Sequence, residues 1–172
     1  DHVTQSRSSS GAARAAEALR RVDLEEVTPI YRAGIALLDC VKETLPQAII
    51  AGDSTQATYA GSVGYGPDAT RRFFGSMTGF GTLGYALPAA IGARVGVDHP
   101  VVAVIGDGGL QFTIAELGSA VEERVPIIIL VWNNQGYGEI KNFMIAREIQ
   151  PQGVDIGAPD LCAIARGYGV HA

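Results

Sequence analysis

The stretch that decides the fold is residues 101–138, VVAVIGDGGLQFTIAELGSAVEERVPIIILVWNNQGYG. Within it, residues 101–105 and 127–132 are uninterrupted apolar runs rich in β-branched side chains, a pattern typical of strands covered on both faces of a parallel sheet. Between the runs, Thr113 and Glu116 have the spacing of a capping box, which predicts a helix start. Strand, glycine turn, helix and strand together predict a βαβ unit with two parallel strands.

Two oxygen-bearing side chains, Asp107 and Asn134, come just after these runs. Open α/β sheets bind their ligands at the carboxyl ends of the strands, and neighbouring strands lie about 5 Å apart, so the two side chains can converge. A carboxylate and an amide oxygen, joined by a backbone carbonyl, suit Mg²⁺, which takes further ligands from water and substrate phosphates. Gly106, Gly108 and Gly109 allow the backbone to approach a phosphate closely. The pattern therefore predicts a magnesium–diphosphate site.

Each of these features is weak alone, because Asp-Gly is a common turn and Asn-Asn after a strand usually belongs to a loop. Their conjunction at the same ends of two buried strands is what favours a ligand site over a structural role.

A second glycine-rich stretch, residues 75–84, reads GSMTGFGTLG and contains a GxGxxG pattern at residues 79–84. This pattern raises the alternative of a dinucleotide-binding Rossmann domain of an oxidoreductase. Against it, residues 71–77 do not form a clean apolar strand, and Asp98 precedes the next strand, where it is badly placed for a ribose hydroxyl. A non-catalytic α/β interaction domain is a third alternative.

The segments GDGGLQFTIAEL and AVEERVPIIILVWNNQGYGEI resemble the signature of thiamine-diphosphate-dependent enzymes, which runs GDG, some two dozen residues, then NN. Within that superfamily the chain is most similar to the acetolactate synthase and 2-oxo acid decarboxylase group, from about residue 28 onward. The resemblance implies the thiamine-diphosphate-binding fold, an α/β fold of three layers with a doubly wound, mostly parallel sheet and helices on both faces. It also implies thiamine diphosphate and Mg²⁺ as cofactors.

The polar turn at residues 52–56 fits two readings. Its hydroxyl and N–H groups could serve a diphosphate, or the turn could simply cap a helix through Asp53 or Ser54. The family uses this position for the far end of the diphosphate, which favours the first reading for Ser54, Thr55 and Gln56.

The resemblance also assigns roles to loop residues elsewhere. Leu83 stands where the family places a large apolar residue, often methionine, that wedges between the two cofactor rings, and the carbonyl of Gly81 accepts the 4′-amino group. Gly136 is expected to offer its carbonyl as the third metal ligand, and the Tyr137 amide to reach the diphosphate. The predicted metal ligands are Asp107, Asn134 and Gly136, and the predicted cofactor-binding residues are Ser54, Thr55, Gln56, Gly81, Leu83, Gly106, Gly108, Gly109 and Tyr137.

The composition and charge of the chain argue against several classes of protein. The net charge of −5, with no Lys- or Arg-rich tract, argues against nucleic acid as a partner. Cys40 and Cys162 are unpatterned, which argues against a disulfide scaffold and predicts a cytoplasmic protein. No signal peptide or membrane-spanning apolar run is visible. Residues 1–27 are expected to form an interdomain linker, and residues 28–172 the cofactor-binding domain, truncated at its C-terminus relative to the family.

The function implied is that of the diphosphate-anchoring domain of a 2-oxo acid decarboxylase or carboligase. Residues 138–144 lack the tryptophan-bearing segment of many acetolactate synthases, which favours a decarboxylase of arginine-derived 2-oxo acids. Glu139 and Lys141 are expected to face solvent. No segment resembles the family's activating glutamate, so no catalytic residue is assigned, and the isolated chain is expected to be inactive. The expected partners are the 2-oxo acid substrate, the pyrimidine-binding domain of a partner subunit, and further copies in a homodimer or homotetramer.

Overall fold

The computed structural model describes residues 10–21, 27–157 and 159–172. Its sheet has four parallel strands in the order β2-β1-β3-β4. The strands are β1 (Ile49–Gly52), β2 (Phe73–Gly75), β3 (Val101–Gly106) and β4 (Ile128–Trp132).

The α-helices in the described part of the chain are α1 (Ser10–Arg21), α2 (Pro29–Thr44), α3 (Gln56–Gly64), α4 (Ala86–Gly96), α5 (Asp107–Thr113), α6 (Glu116–Glu122), α7 (Gly138–Ala146) and α8 (Leu161–Gly167). Residues of α2 and α3, such as Leu38 and Ala57, pack on one face against Ile50 and Val102. Residues of α4, α5, α6 and α8 pack on the other face. The predicted three-layer, doubly wound α/β fold is confirmed.

The strand order places a topological switch point between β1 and β3. The chain leaves β1 toward β2 on one side and returns to β3 on the other side, and ligands of open α/β sheets bind at such a point. Gly52 ends β1, Gly106 ends β3 and Trp132 ends β4. The polar segments that follow these residues therefore all start on the same side of the sheet, at the carboxyl ends of its strands.

The predicted elements near the carboxyl ends of the strands are mostly confirmed. The β3–β4 pair is parallel, with Gly106 opposite Trp132. Helix α2 begins after Thr28, whose hydroxyl accepts a hydrogen bond from the Tyr31 backbone N–H at 3.4 Å.

Residues 71–77 contain only a short, half-buried strand, β2, which agrees with the absence of a clean apolar strand there. Two local predictions are wrong. First, β4 is not covered on both faces, because it lies at the edge of the sheet. Its Ile128 and Val131 are 43% and 37% exposed. Second, Thr113 does not cap the helix at Glu116, because its hydroxyl donates to the Gly84 carbonyl oxygen at 2.9 Å, and the crossover contains two short helices, α5 and α6.

The predicted linker is only partly described. Residues 10–21 form α1, whereas residues 1–9 and 22–26 lie outside the described residues. The division into linker and domain stays a prediction. In the described part of the chain, no helix is both long and apolar enough to cross a membrane.

Candidate functional site

A cleft of about 650 Å³, measured with its open mouth, lies at the carboxyl ends of the strands. All twelve residues predicted for the metal and the cofactor line it, and so do Tyr59, Gly138, Glu139 and Ile140. The structure thus brings together side chains from the β1–α3 turn, the glycine-rich loop before α4, the start of α5 and the segment after β4. Their individual roles stay predictions.

Three oxygen atoms converge in this cleft. The side-chain oxygen Oδ1 of Asn134 lies 3.2 Å from Asp107 Oδ1 and 2.7 Å from the Gly136 carbonyl oxygen. The Asn134 backbone N–H also donates to Asp107 Oδ1, at 3.4 Å. The predicted convergence of Asp107 and Asn134 is therefore observed.

The orientation of the Asn134 amide is fixed by its neighbours. Its Nδ2 donates to Gln56 Oε1 at 3.2 Å, and the same oxygen accepts the Trp132 indole N–H at 3.2 Å. Rotating the amide by a half turn would let it donate to Asp107 and Gly136, but it would set Asn134 Oδ1 against Gln56 Oε1. Rotating Gln56 as well would set two N–H donors, those of Gln56 and Trp132, against each other. The hydrogen bonds of Gln56 therefore favour the orientation in which the three oxygens face one another, whereas the oxygens of Asp107 and Gly136 favour the rotated amide. A cation among the three oxygens would remove the advantage of rotation.

Oxygens at this spacing suit a divalent cation. Adjacent ligands of an octahedral Mg²⁺ ion with bonds of about 2.1 Å are about 3.0 Å apart, between the two distances observed. Asp107 is 1% exposed, and its Oδ2 is buried without a hydrogen-bond partner. A buried, unpaired carboxylate oxygen is costly unless a cation or a donor meets it. The described residues include no cluster of three His, Cys, Asp or Glu side chains, so an amide and a carbonyl must complete such a ligand set.

The segment after β4 requires its glycine. Gly136 has φ 153°, and a Cβ there would lie 2.3 Å from the Val154 carbonyl oxygen. That oxygen accepts the Tyr137 backbone N–H at 2.9 Å. The Tyr137 amide, predicted to reach the diphosphate, therefore already has a partner in the chain. The Tyr137 ring instead lies over Gly108, where a Cβ would be 2.8 Å from the ring.

Comparison with known proteins bears on this geometry. Residues 52–172 match the family described as "Thiamine pyrophosphate enzyme, C-terminal TPP binding domain". The chain belongs to this family. It is 37% identical to the probable 2-ketoarginine decarboxylase of Pseudomonas aeruginosa over 168 residues, which is 96% of this chain and 30% of that protein. It is 33% identical to the acetolactate synthase isozyme 3 large subunit of Escherichia coli K12 over 129 residues, 73% of this chain and 22% of that protein.

The fold of this thiamine pyrophosphate-binding domain is also found in a solved structure. The thiamine diphosphate-dependent 4-hydroxybenzoylformate decarboxylase of Rhodococcus jostii RHA1 superposes with a TM-score of 0.71 and 30% identity. The match covers 80% of this chain and 26% of that one. The domain thus spans about a third or less of the length of these relatives.

One of two charged residues near the cleft differs from expectation. Glu139, expected to face solvent, lines the cleft at the start of α7. Lys141, also expected to face solvent, lies outside the cleft lining, where it is 40% exposed and pairs with Asp155 at 2.7 Å.

Asp53 is a buried carboxylate that sequence reasoning did not assign to the site. It is 0% exposed and accepts the Ser54 backbone N–H at 2.7 Å and the Ala86 backbone N–H at 3.3 Å. Backbone N–H groups of Gly84 and Tyr85 also face it. Asp53 therefore joins the end of β1 to the start of α4, and so fixes the loop that carries Gly81 and Leu83. Its long-range donors could not be inferred from the local sequence.

Burial raises the pKa of Asp53, and the surrounding N–H donors oppose the rise only in part. The native state therefore holds this proton more tightly than the unfolded state does. We expect the free energy of unfolding contributed by Asp53 to fall as the pH rises from about 3.9, the ordinary value, through the raised native pKa, and to level off above it. Urea unfolding of the wild type and of Asp53→Asn across this range measures this contribution as the wild-type free energy of unfolding minus that of the variant. A value of this quantity that stays constant or rises with pH would contradict this assignment.

Proposed function

We propose that this domain anchors thiamine diphosphate through Mg²⁺ in a 2-oxo acid decarboxylase or carboligase. The observation that carries the proposal is the convergence of Asp107, Asn134 and Gly136 oxygens beside a buried, unpartnered carboxylate oxygen. Membership of the family supports thiamine diphosphate as the ligand. The donor set, all hard oxygens, supports Mg²⁺ as the ion.

Different residues of the cleft hold different parts of this cofactor. Asp107, Asn134 and Gly136 hold the ion that neutralises the diphosphate, and Gln56 keeps the Asn134 oxygen turned toward it. Leu83 and the Gly81 carbonyl, both in the cleft wall, hold the rings in a bent shape. Bound in this way, thiamine diphosphate supplies an electron sink for cleavage of the bond next to a 2-oxo group. The contribution of the chain is positioning.

Within this class we favour a decarboxylase that acts on an arginine-derived 2-oxo acid. Residues 138–144, GEIKNFM, lack the tryptophan-bearing segment of many acetolactate synthases. The similarity to the probable 2-ketoarginine decarboxylase extends over 96% of this chain. Both observations support the same substrate class.

The proposal includes partners. A pyrimidine-binding domain on a partner subunit would supply the activating glutamate, and the assembly would be a homodimer or homotetramer. We also propose a cytoplasmic location, supported by two exposed cysteines, Cys40 and Cys162, that form no disulfide.

The structure does not favour the dinucleotide-binding alternative. A strand, β2, does precede the GxGxxG pattern, but a 3-10 helix at Ser76–Thr78 separates them. Gly79 therefore does not form the tight strand-to-helix turn that a dinucleotide fingerprint requires, and α4 begins only at Ala86.

We expect Asp107→Ala to weaken Mg²⁺-dependent binding of thiamine diphosphate by at least about a hundredfold, because loss of groups that only orient metal ligands already costs ten- to hundredfold. The free energy of unfolding of the protein without cofactor should stay the same or rise, since a buried, poorly paired carboxylate is removed. Calorimetric titration and urea unfolding measure the two quantities.

Asp98→Ala is the matched control, because this carboxylate is 99% exposed and precedes the amino end of β3. It should leave cofactor binding unchanged. Tight magnesium-dependent binding by Asp107→Ala would refute the proposed metal site, and metal-free binding of a nicotinamide dinucleotide by the wild type would favour the alternative.

We also expect the isolated chain, supplied with thiamine diphosphate and Mg²⁺, not to decarboxylate 2-oxo acids. The reason is that no segment of it resembles the activating glutamate. Release of carbon dioxide from a panel of 2-oxo acids tests this, with Asp107→Ala as the control for contaminating activity. Sustained release by the wild type that the variant lacks would show that the chain is sufficient for catalysis.

A further inference from the structure

The charges that line the cleft have one sign. Asp107 and Glu139 are the charged residues among its described lining, and no Lys, Arg or His side chain joins them. In the proposed function the negative charge of Asp107 is balanced by the bound metal ion. Glu139 is left as an acidic group in the wall of the cleft without an assigned role.

Glu139 lies near the hydroxyl of Tyr31, in the first turn of the neighbouring helix α2. Burial and the negative charge of this carboxylate together raise the pKa of Tyr31. A phenol alone would satisfy only part of the acceptor capacity of a carboxylate. The nearest basic residue in sequence, Lys141, is engaged by Asp155, and no ion pair to Glu139 is formed within the described residues.

Four apolar or aromatic residues, Ile140, Leu83, Tyr59 and Tyr137, share the lining of the cleft with Glu139. A carboxylate in such a cleft gains most from a partner that brings a positive charge and several N–H donors, because water is excluded when a ligand fills the space. A guanidinium group is such a partner and presents its N–H donors in a planar fork. An ammonium group is also such a partner and acts as a compact point charge.

We propose that Glu139 binds the positively charged end of the substrate, which is a 2-oxo acid whose side chain carries a guanidinium or ammonium group. The inference rests on the proposed function, because it assumes that the 2-oxo end of the substrate lies at the anchored cofactor. The inference adds the residue that binds the other end of the substrate, away from the 2-oxo group. Tyr31 is the positioning residue that keeps the carboxylate turned into the cleft.

A purely structural role for Glu139 makes a different prediction. If the carboxylate only tied α7 to α2 through Tyr31, its removal would change the stability of the fold and would affect charged and uncharged ligands equally. The preference between two ligands of equal length therefore separates the two roles.

The test is a binding titration of the chain loaded with thiamine diphosphate and Mg²⁺, using 2-ketoarginine and an uncharged straight-chain 2-oxo acid of the same length. We expect the wild type to bind 2-ketoarginine about tenfold more tightly, as a charge-assisted hydrogen bond predicts. Glu139→Gln should reduce this preference to less than about threefold, and added salt should weaken it in the wild type. Tyr31→Phe should give an intermediate preference.

Glu122→Gln, an exposed position on α6, is the control for a change in net charge and should keep the wild-type preference. All variants should bind thiamine diphosphate as the wild type does. Failure of the wild type to bind that cofactor would refute the proposed function itself. With the cofactor bound, equal binding of the two acids, no detectable binding of either, or a preference that survives in Glu139→Gln would overturn the role of Glu139 alone.

Discussion

The structure depends on one electrostatic constraint, which is that three oxygen acceptors face one another with no hydrogen between them. Acceptors 2.7 Å and 3.2 Å apart repel unless a cation lies among them. The indole N–H of Trp132 donates to Gln56, and Gln56 in turn accepts from the amide of Asn134. A half turn of that amide would remove the repulsion at Asp107 and Gly136 but would set its oxygen against Gln56 Oε1. A cation among the three oxygens removes the repulsion and keeps the hydrogen bond to Gln56.

The parallel sheet is what makes this arrangement possible. Gly106 of β3 lies opposite Trp132 of β4, so the residues that follow the two strands start side by side, next to the switch point between β1 and β3. Asp53, after β1, secures the neighbouring turn by accepting backbone N–H groups from the start of α4. Three of the four strands, β1, β3 and β4, are thus each followed by one of these polar groups, and the rigidity of the buried sheet limits how far any of them can move.

The sequence predicted what depends on local pattern and failed where the outcome depends on distant partners. The apolar run at β3 and the GDG and NN segments predicted the parallel β3–β4 pair and the convergence of Asp107 and Asn134. The rest of the fold and most of the other cleft residues were predicted from the resemblance to the family. The open face of β4 could not be predicted, because burial at a sheet edge depends on what packs beside it. Thr113 was misread because its hydroxyl has a tertiary acceptor at Gly84, and Asp53 was missed because its donors come from α4.

The most direct test of the metal site is a crystal structure of the domain grown with Mn²⁺ and thiamine diphosphate, in which anomalous scattering locates the ion. The account predicts a single strong peak about 2.2 Å from Asp107 Oδ1, Asn134 Oδ1 and the Gly136 carbonyl oxygen, slightly longer than Mg²⁺ bonds. The Asn134 Nδ2 should still face Gln56. A peak elsewhere, or an Asn134 amide that turns its nitrogen toward Asp107, would contradict the account.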